Sequence, residues 1–136
     1  YRRGALKRYG RAQYTLGLLY HQGKGVTRDY EKAMRWYGFA MDQNYASAFY
    51  GAGILNQLGL GRKKNIKEAI RLYSESSAKG HRIAPYMMGQ LHETGTGVPK
   101  NRALAIRWYR LSAERNYAKA AARLGKMTGQ KPKTNS

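Results

Sequence analysis

Cysteine is absent from the 136 residues, so neither disulfide staples nor thiolate-held zinc can stabilise this chain. Acidic residues are scarce, with 7 Asp and Glu against 26 Lys and Arg, and the formal charge is +19. A field of that sign favours acidic partners and leaves few carboxylates for acid–base chemistry. No run of about 18 apolar residues is present that could span a bilayer, and no signal peptide is visible. His21, His81 and His92 lack metal-ligand spacing, and there is no nucleophile elbow. The chain is therefore expected to be no enzyme and to carry no cofactor or metal.

Glycine is plentiful, and one glycine-rich stretch, GLLYHQGKG (17–25), invites comparison with a phosphate-binding loop. The comparison fails on spacing, because five residues rather than four separate Gly17 from Gly23 and Gly25 stands where a hydroxyl residue would hold magnesium. It fails again on repetition. Shifted by 36, the sequence falls into register with itself: Ala12, Ala48, Ala84 and Ala120 coincide, as do Gly17, Gly53, Gly89 and Gly125, and Tyr37, Tyr73 and Tyr109. The copies of the stretch are GILNQLGLG (53–61) and GQLHETGTG (89–97), in which the lysine becomes Leu60 and then Thr96. A bend recurs, not a phosphate ligand. A fixed period of this length marks an array in which each unit buries its open face against the next.

Each unit reads as two helices. Ala12, Leu16, Leu19 and Tyr20 fall on one stripe of the first helix, expected to be buried. The second helix should start after Asp29, Asn65 and Asn101, whose side chains can cap free N–H groups, with Glu68 completing a capping box in the middle unit. It should bury Ala33, Trp36, Tyr37 and Ala40 and end at Asn44, Gly80 and Asn116, residues that tolerate left-handed backbone. Pro85 fits only the first turn of a helix. Glycine in mid-helix costs about 1 kcal/mol, so Gly17 and its copies need a reason. Close approach of a ring from the partner helix, Trp36 or Tyr37, supplies one.

These columns resemble the Sel-one-like repeat, a relative of the tetratricopeptide repeat, on AQYTLGLLYHQGKGVTRDYEKAMRWY in the first unit and APYMMGQLHETGTGVPKNRALAIRWY in the third. The middle unit departs at Arg62, where the pattern has Val, and at Leu72, where it has Trp. The expected fold is an all-α, right-handed α-solenoid of helix–turn–helix repeats: 1–11 as the end of a preceding repeat helix, 12–47, 48–83 and 84–119 as repeats, and 120–136 as a partial or capping helix with a disordered basic tail. The resemblance implies a scaffold or adaptor that binds a protein or peptide, and bacterial envelope pathways as one setting. The sequence itself reads neither compartment nor oligomeric state; a monomer or part of a larger array is expected.

Two sets of residues are candidates for partner contact. Tyr14, Leu18 and His21, with Tyr50, Ile54, Gln57 and Tyr86, Gln90, Glu93, share one face of the first helices. By analogy with tetratricopeptide arrays that face lines the concave groove, where aromatic and aliphatic groups anchor a peptide; packing against the adjacent unit is the alternative use. The other tyrosine columns, 37/73/109 and 9/45/117, are expected in the core. Arg28, Lys64 and Lys100, then Arg35, Arg71 and Arg107, are expected to align as a basic ridge on the second helices, thickened by Lys63 and Lys67. The ridge reads as a solvated face or as a contact for an acidic protein, nucleic acid, anionic glycan or membrane surface. Further cations crowd both ends, at Arg2, Arg3, Lys7, Arg8 and Arg11 and at Lys126, Lys131 and Lys133.

Overall fold

The computed structural model describes residues 2–129, with side chains from Tyr9 onward. Seven helices and no strand occur among them: α1 (Arg2–Gln22), α2 (Tyr30–Asp42), α3 (Ala46–Leu58), α4 (Ile66–Ala78), α5 (Ala84–Thr94), α6 (Arg102–Glu114) and α7 (Ala118–Thr128). They form two compact units, residues 1–80 with α1 to α4 and residues 81–136 with α5 to α7. In the first unit α1 pairs with α2, α2 with α3, and α3 with α4; in the second, α6 packs on both α5 and α7.

The caps lie where the sequence places them. Asp29, Asn65 and Asn101 accept from the backbone N–H of Lys32, Glu68 and Leu104 at 3.1, 3.0 and 3.0 Å. The capping box does not form. The Asn65 N–H donates to Asn56 O at 2.8 Å, and the Glu68 carboxylate instead holds Arg71, a stronger charged donor. Asn44, Gly80 and Asn116 have φ of 59°, 96° and 68°, so the chain reverses after each second helix. Residue 8 shares their column but is arginine, a good helix former that resists left-handed backbone. Accordingly α1 runs unbroken through it, where the sequence suggests one helix ending before Ala12. The turn glycines 23, 25, 59, 61, 95 and 97 all have φ near 70°, which confirms a recurring bend.

The mid-helix glycines receive tyrosine, not tryptophan. A Cβ on Gly17 would lie 2.6 Å from Tyr37 Cδ1, on Gly53 2.6 Å from Tyr73 Cε1, and on Gly89 2.7 Å from Tyr109 Cδ1. Tyr37 is gripped from the other side as well, since a Cβ on Gly51 of α3 would lie 2.8 Å from its Cζ. Tyr37, Tyr73 and Tyr109 are therefore buried, whereas Trp36 is half-buried and lies edge-on to the exposed Phe39. The core of the first unit joins Ala33 and Tyr37 to Phe49, Ala52, Leu55 and Leu72. That of the second joins Ala105 and Tyr109 to Met127, with Tyr86, Ile106 and Leu124 around them.

The expected stripe on α1 is only half right. Ala12 is exposed and Leu16 is 38% exposed, while their copies Ala48 and Ala52 on α3 are fully buried. The difference is the neighbour: α2 lies against α3, and no described helix covers the corresponding side of α1. Tyr9, expected in the core, is exposed for the same reason, and its column mates Tyr45 and Tyr117 are half-buried N-cap residues of α3 and α7. Buried serines tie helix starts down, Ser76 Oγ donating to Ala46 O at 2.7 Å and Ser112 Oγ to Arg82 O. Pro85 sits in the first turn of α5, as expected. Tyr1 and the tail with Lys131 and Lys133 lie outside the described residues.

Candidate functional site

The first-helix face is built on the core tyrosines. Tyr14 stacks on Tyr37 with ring centroids 5.6 Å apart and touches Tyr45 at 5.5 Å; Tyr50 leans on Tyr73 at 6.2 Å; Tyr86 leans on Tyr109 at 5.4 Å and meets Tyr117 edge-on. These three tyrosines are half-buried, so each has one side committed to packing. Leu18 and Ile54 are half-buried beside them, on α1 and α3 of the same unit.

The last residue of each triplet does a job that the sequence does not announce. His21 Nδ1 lies 3.0 Å from Tyr37 Oη, while Tyr73 donates to Gln57 Oε1 at 2.5 Å and Tyr109 to Glu93 Oε1 at 2.7 Å. Each is the polar partner of a buried phenol, which would otherwise lose its hydrogen bond on leaving water. Burial holds all three phenols above their ordinary value, Tyr109 at about 12. His21 is pushed down, first by burial and then by the positive charge of Arg28. Glu93 also receives Arg123 of α7, whose Nε donates at 3.0 Å. The signal for Arg123 is available in the sequence, since it falls in the column of Gly51, but charge alone does not identify its partner. Gln90 is exposed and donates to Tyr86 Oη at 3.1 Å.

The residues of the basic columns are exposed, but Arg71 among them is not free charge. Arg28, Arg35, Lys64, Lys100 and Arg107 are exposed, with Arg28 over the Tyr30 ring at 5.9 Å. Arg71 is bound by Glu68, and the hydrogen bond from Arg71 holds that carboxyl below its usual range. Among the described residues no group of His, Asp and Glu could hold a metal ion, and no helix is long and apolar enough to cross a membrane. His92 is half-buried and its Nδ1 has no hydrogen-bond partner. His81 has a structural use. Its Nδ1 accepts from the N–H groups of Ile83 and Ala84 at 3.3 and 3.1 Å and so caps the start of α5.

Helical hairpins at a fixed interval and ring-in-glycine packing define an all-α repeat protein. The sequence model of the Sel1 repeat matches residues 10–45, 44–81 and 83–117, and the chain belongs to that family. A Sel1 repeat protein from Oxalobacter formigenes is similar over 89% of this chain, with 36% identity and a TM-score of 0.79. The protective antigen c5321 of uropathogenic Escherichia coli strains, which displays an SLR fold, is similar over 88%, with 32% identity and a TM-score of 0.82. The chain spans 50% of the first of these proteins and 26% of the second. Helicobacter pylori cysteine rich protein B shares the fold, with a TM-score of 0.72 at 18% identity over 89% of this chain and 92% of its own. No curated protein matches the chain in sequence. The fold is thus the all-α repeat fold of the solenoid class, and Sel1 repeats generally act as non-catalytic scaffolds for protein–protein interaction.

Proposed function

We propose that this chain is a non-enzymatic adaptor that binds an acidic protein or peptide through the faces of its first helices. In the first unit the face is carried by α1, with Tyr14 and Leu18, and by α3, with Tyr50 and Ile54. The second unit presents Tyr86 and Gln90 on α5. The observation that carries the reading is the half-exposure of Tyr14, Leu18, Tyr50 and Ile54 on neighbouring helices. Aromatic and aliphatic groups in that state offer area to a peptide side chain at small entropic cost, because packing on the core already holds them. His21, Gln57 and Glu93 support the face by fixing the phenols below it.

The test is capture of partners from cognate lysate with and without nuclease, followed by salt titration. Partners retained after nuclease, released by Leu18→Glu with Ile54→Glu, and weakened only mildly by salt support the adaptor. Loss of every partner after nuclease, or an affinity that falls steeply with log salt in proportion to the charges neutralised, replaces it with an anionic polymer binder.

A further inference from the structure

The positive charge is not spread evenly over the repeats. The turn of repeat 1, KGVTR (24–28), carries two cations, that of repeat 2, LGRKK (60–64), three, and that of repeat 3, TGVPK (96–100), one. Two of these three stand where the other turns have no charge, Arg62 in the column of Val26 and Val98 and Lys63 in that of Thr27 and Pro99. A second departure accompanies Arg62: Asn56 occupies the column of Tyr20 and His92. The two departures are one feature. Asn56 is 2% exposed, its Nδ2 donates to Ala52 O at 2.9 Å, and its Oδ1 accepts from Arg62 Nη1 at 3.2 Å. A buried amide thus holds an exposed guanidinium in place.

The turn itself is held against the preceding repeat. A Cβ on Gly61 would lie 2.5 Å from Tyr30 Cβ, so the second turn presses on the first residues of α2. Tyr30 thus meets the second turn at Gly61, next in sequence to Arg62, and carries the Arg28 guanidinium over its ring. Two carboxylates share that stretch, Asp29, which caps the Lys32 N–H, and Glu31, so the four cations Arg28, Arg62, Lys63 and Lys64 keep an excess of positive charge over them. The edge adjoins the first-helix face. His21 and Gln57 end the triplets on α1 and α3, the turns follow within a few residues, and the Arg28 charge is felt at His21.

We propose that the turn edge of repeats 1 and 2, formed by Arg28, Arg62, Lys63 and Lys64, is the acid-recognising half of a two-part site whose apolar half is Leu18 and Ile54. Its ligand is a peptide segment in which an aromatic or aliphatic anchor adjoins a run of Asp or Glu. This inference rests on the adaptor reading and narrows the expected ridge to its turn end, keeping Arg28, Lys63 and Lys64, adding Arg62 and leaving out Arg71, which is already occupied by Glu68. A protein segment suits the edge better than a nucleic acid because the rings there are engaged: Tyr30 lies between Arg28 and the Gly61 turn, and Lys32 stands over Tyr20 at 5.5 Å. Neither of these two rings is a free platform for stacking bases.

The test uses the whole chain and a fluorescein-labelled peptide in which a Phe-Leu pair precedes six glutamates, its glutamine counterpart, and an oligothymidylate of equal charge. Arg62→Val with Lys63→Gln and Lys64→Gln removes three charges from the edge; Arg35→Gln with Arg107→Gln and Arg110→Gln removes three elsewhere. Binding of the glutamate peptide should weaken about tenfold in the first variant and less than about twofold in the second, with both folded at the assay temperature by circular dichroism; the first should unfold somewhat earlier on heating, because Arg62→Val leaves Asn56 Oδ1 without its donor. Equal weakening by the two variants, no preference for the glutamate peptide over its glutamine counterpart, or tighter binding of the oligothymidylate would each overturn the assignment. Leu18→Ser with Ile54→Ser separates the two readings. If it changes nothing while the edge variant weakens binding, the first-helix face fails and the basic edge stands; if it abolishes binding while the edge variant has no effect, the reverse holds.

Discussion

The two units solve the same packing problem with different polar chemistry. In residues 1–80 the buried phenols of Tyr37 and Tyr73 meet neutral side chains, His21 and Gln57; in residues 81–136 Tyr109 meets the carboxylate of Glu93, itself held by Arg123. The ring lies in a glycine slot every time. Geometry is thus the fixed element of this repeat, and the group that satisfies the hydroxyl can be exchanged for any acceptor of similar reach. The cost of exchange differs, because a hydrogen bond to a charged group is worth more and leaves a more expensive orphan.

The most severe way to break this comparison is to fill the slot. Gly53→Leu and Gly89→Leu should each cost about 3 kcal/mol or more, since a side chain there collides with a buried ring. Thermal unfolding measures it, and tolerance of one but not the other would mean that the slot is not common to both units. Removing the hydroxyl sharpens the contrast. Tyr109→Phe should cost about 2 kcal/mol, by leaving Glu93 short of a donor, and Tyr73→Phe about 1 kcal/mol. Equal losses would show that the charge on Glu93 adds nothing.

Acid should separate the units next. Burial, with Arg82 and Arg115 nearby, pushes His81 down to about 4. A group depressed on folding contributes stability above its unfolded value of about 6.5, and that contribution fades as pH falls towards 4. Between pH 8 and pH 5 the second unit should lose about 1–2 kcal/mol, seen as earlier amide exchange in α5, and His81→Asn, a non-titrating acceptor, should flatten the profile. The smallest effect is expected from Glu68→Gln, within about 0.5 kcal/mol, because the Arg71 ion pair is exposed.

The period and the caps were legible in the sequence because they depend on single residues with strong local preferences: αL-tolerant Asn44, Gly80 and Asn116, and capping Asp29, Asn65 and Asn101. The glycine slot was legible as a need, though not its occupant; Trp36 and Tyr37 are adjacent, and only packing decides which one turns inward. The exposure of Ala12 and Leu16 was hidden because periodicity reports which face is apolar, not whether a neighbour covers it. The fate of Glu68 was hidden because two donors, Asn65 N–H and Arg71, compete for one carboxylate. In the candidate site the columns were visible, but the service of His21, Gln57 and Glu93 to buried phenols was not, since three unlike side chains share one role.

The tight seat of Gly61 against Tyr30 has a practical corollary for grafting. Among the described residues nothing lies within 4 Å of a Cβ placed on Gly25, so the described hairpin would accept an inserted loop there. The same insertion at Gly61 would wedge the following repeat away from α2, which makes the first bend a place to hang a tag and the second a lever on the spacing between repeats.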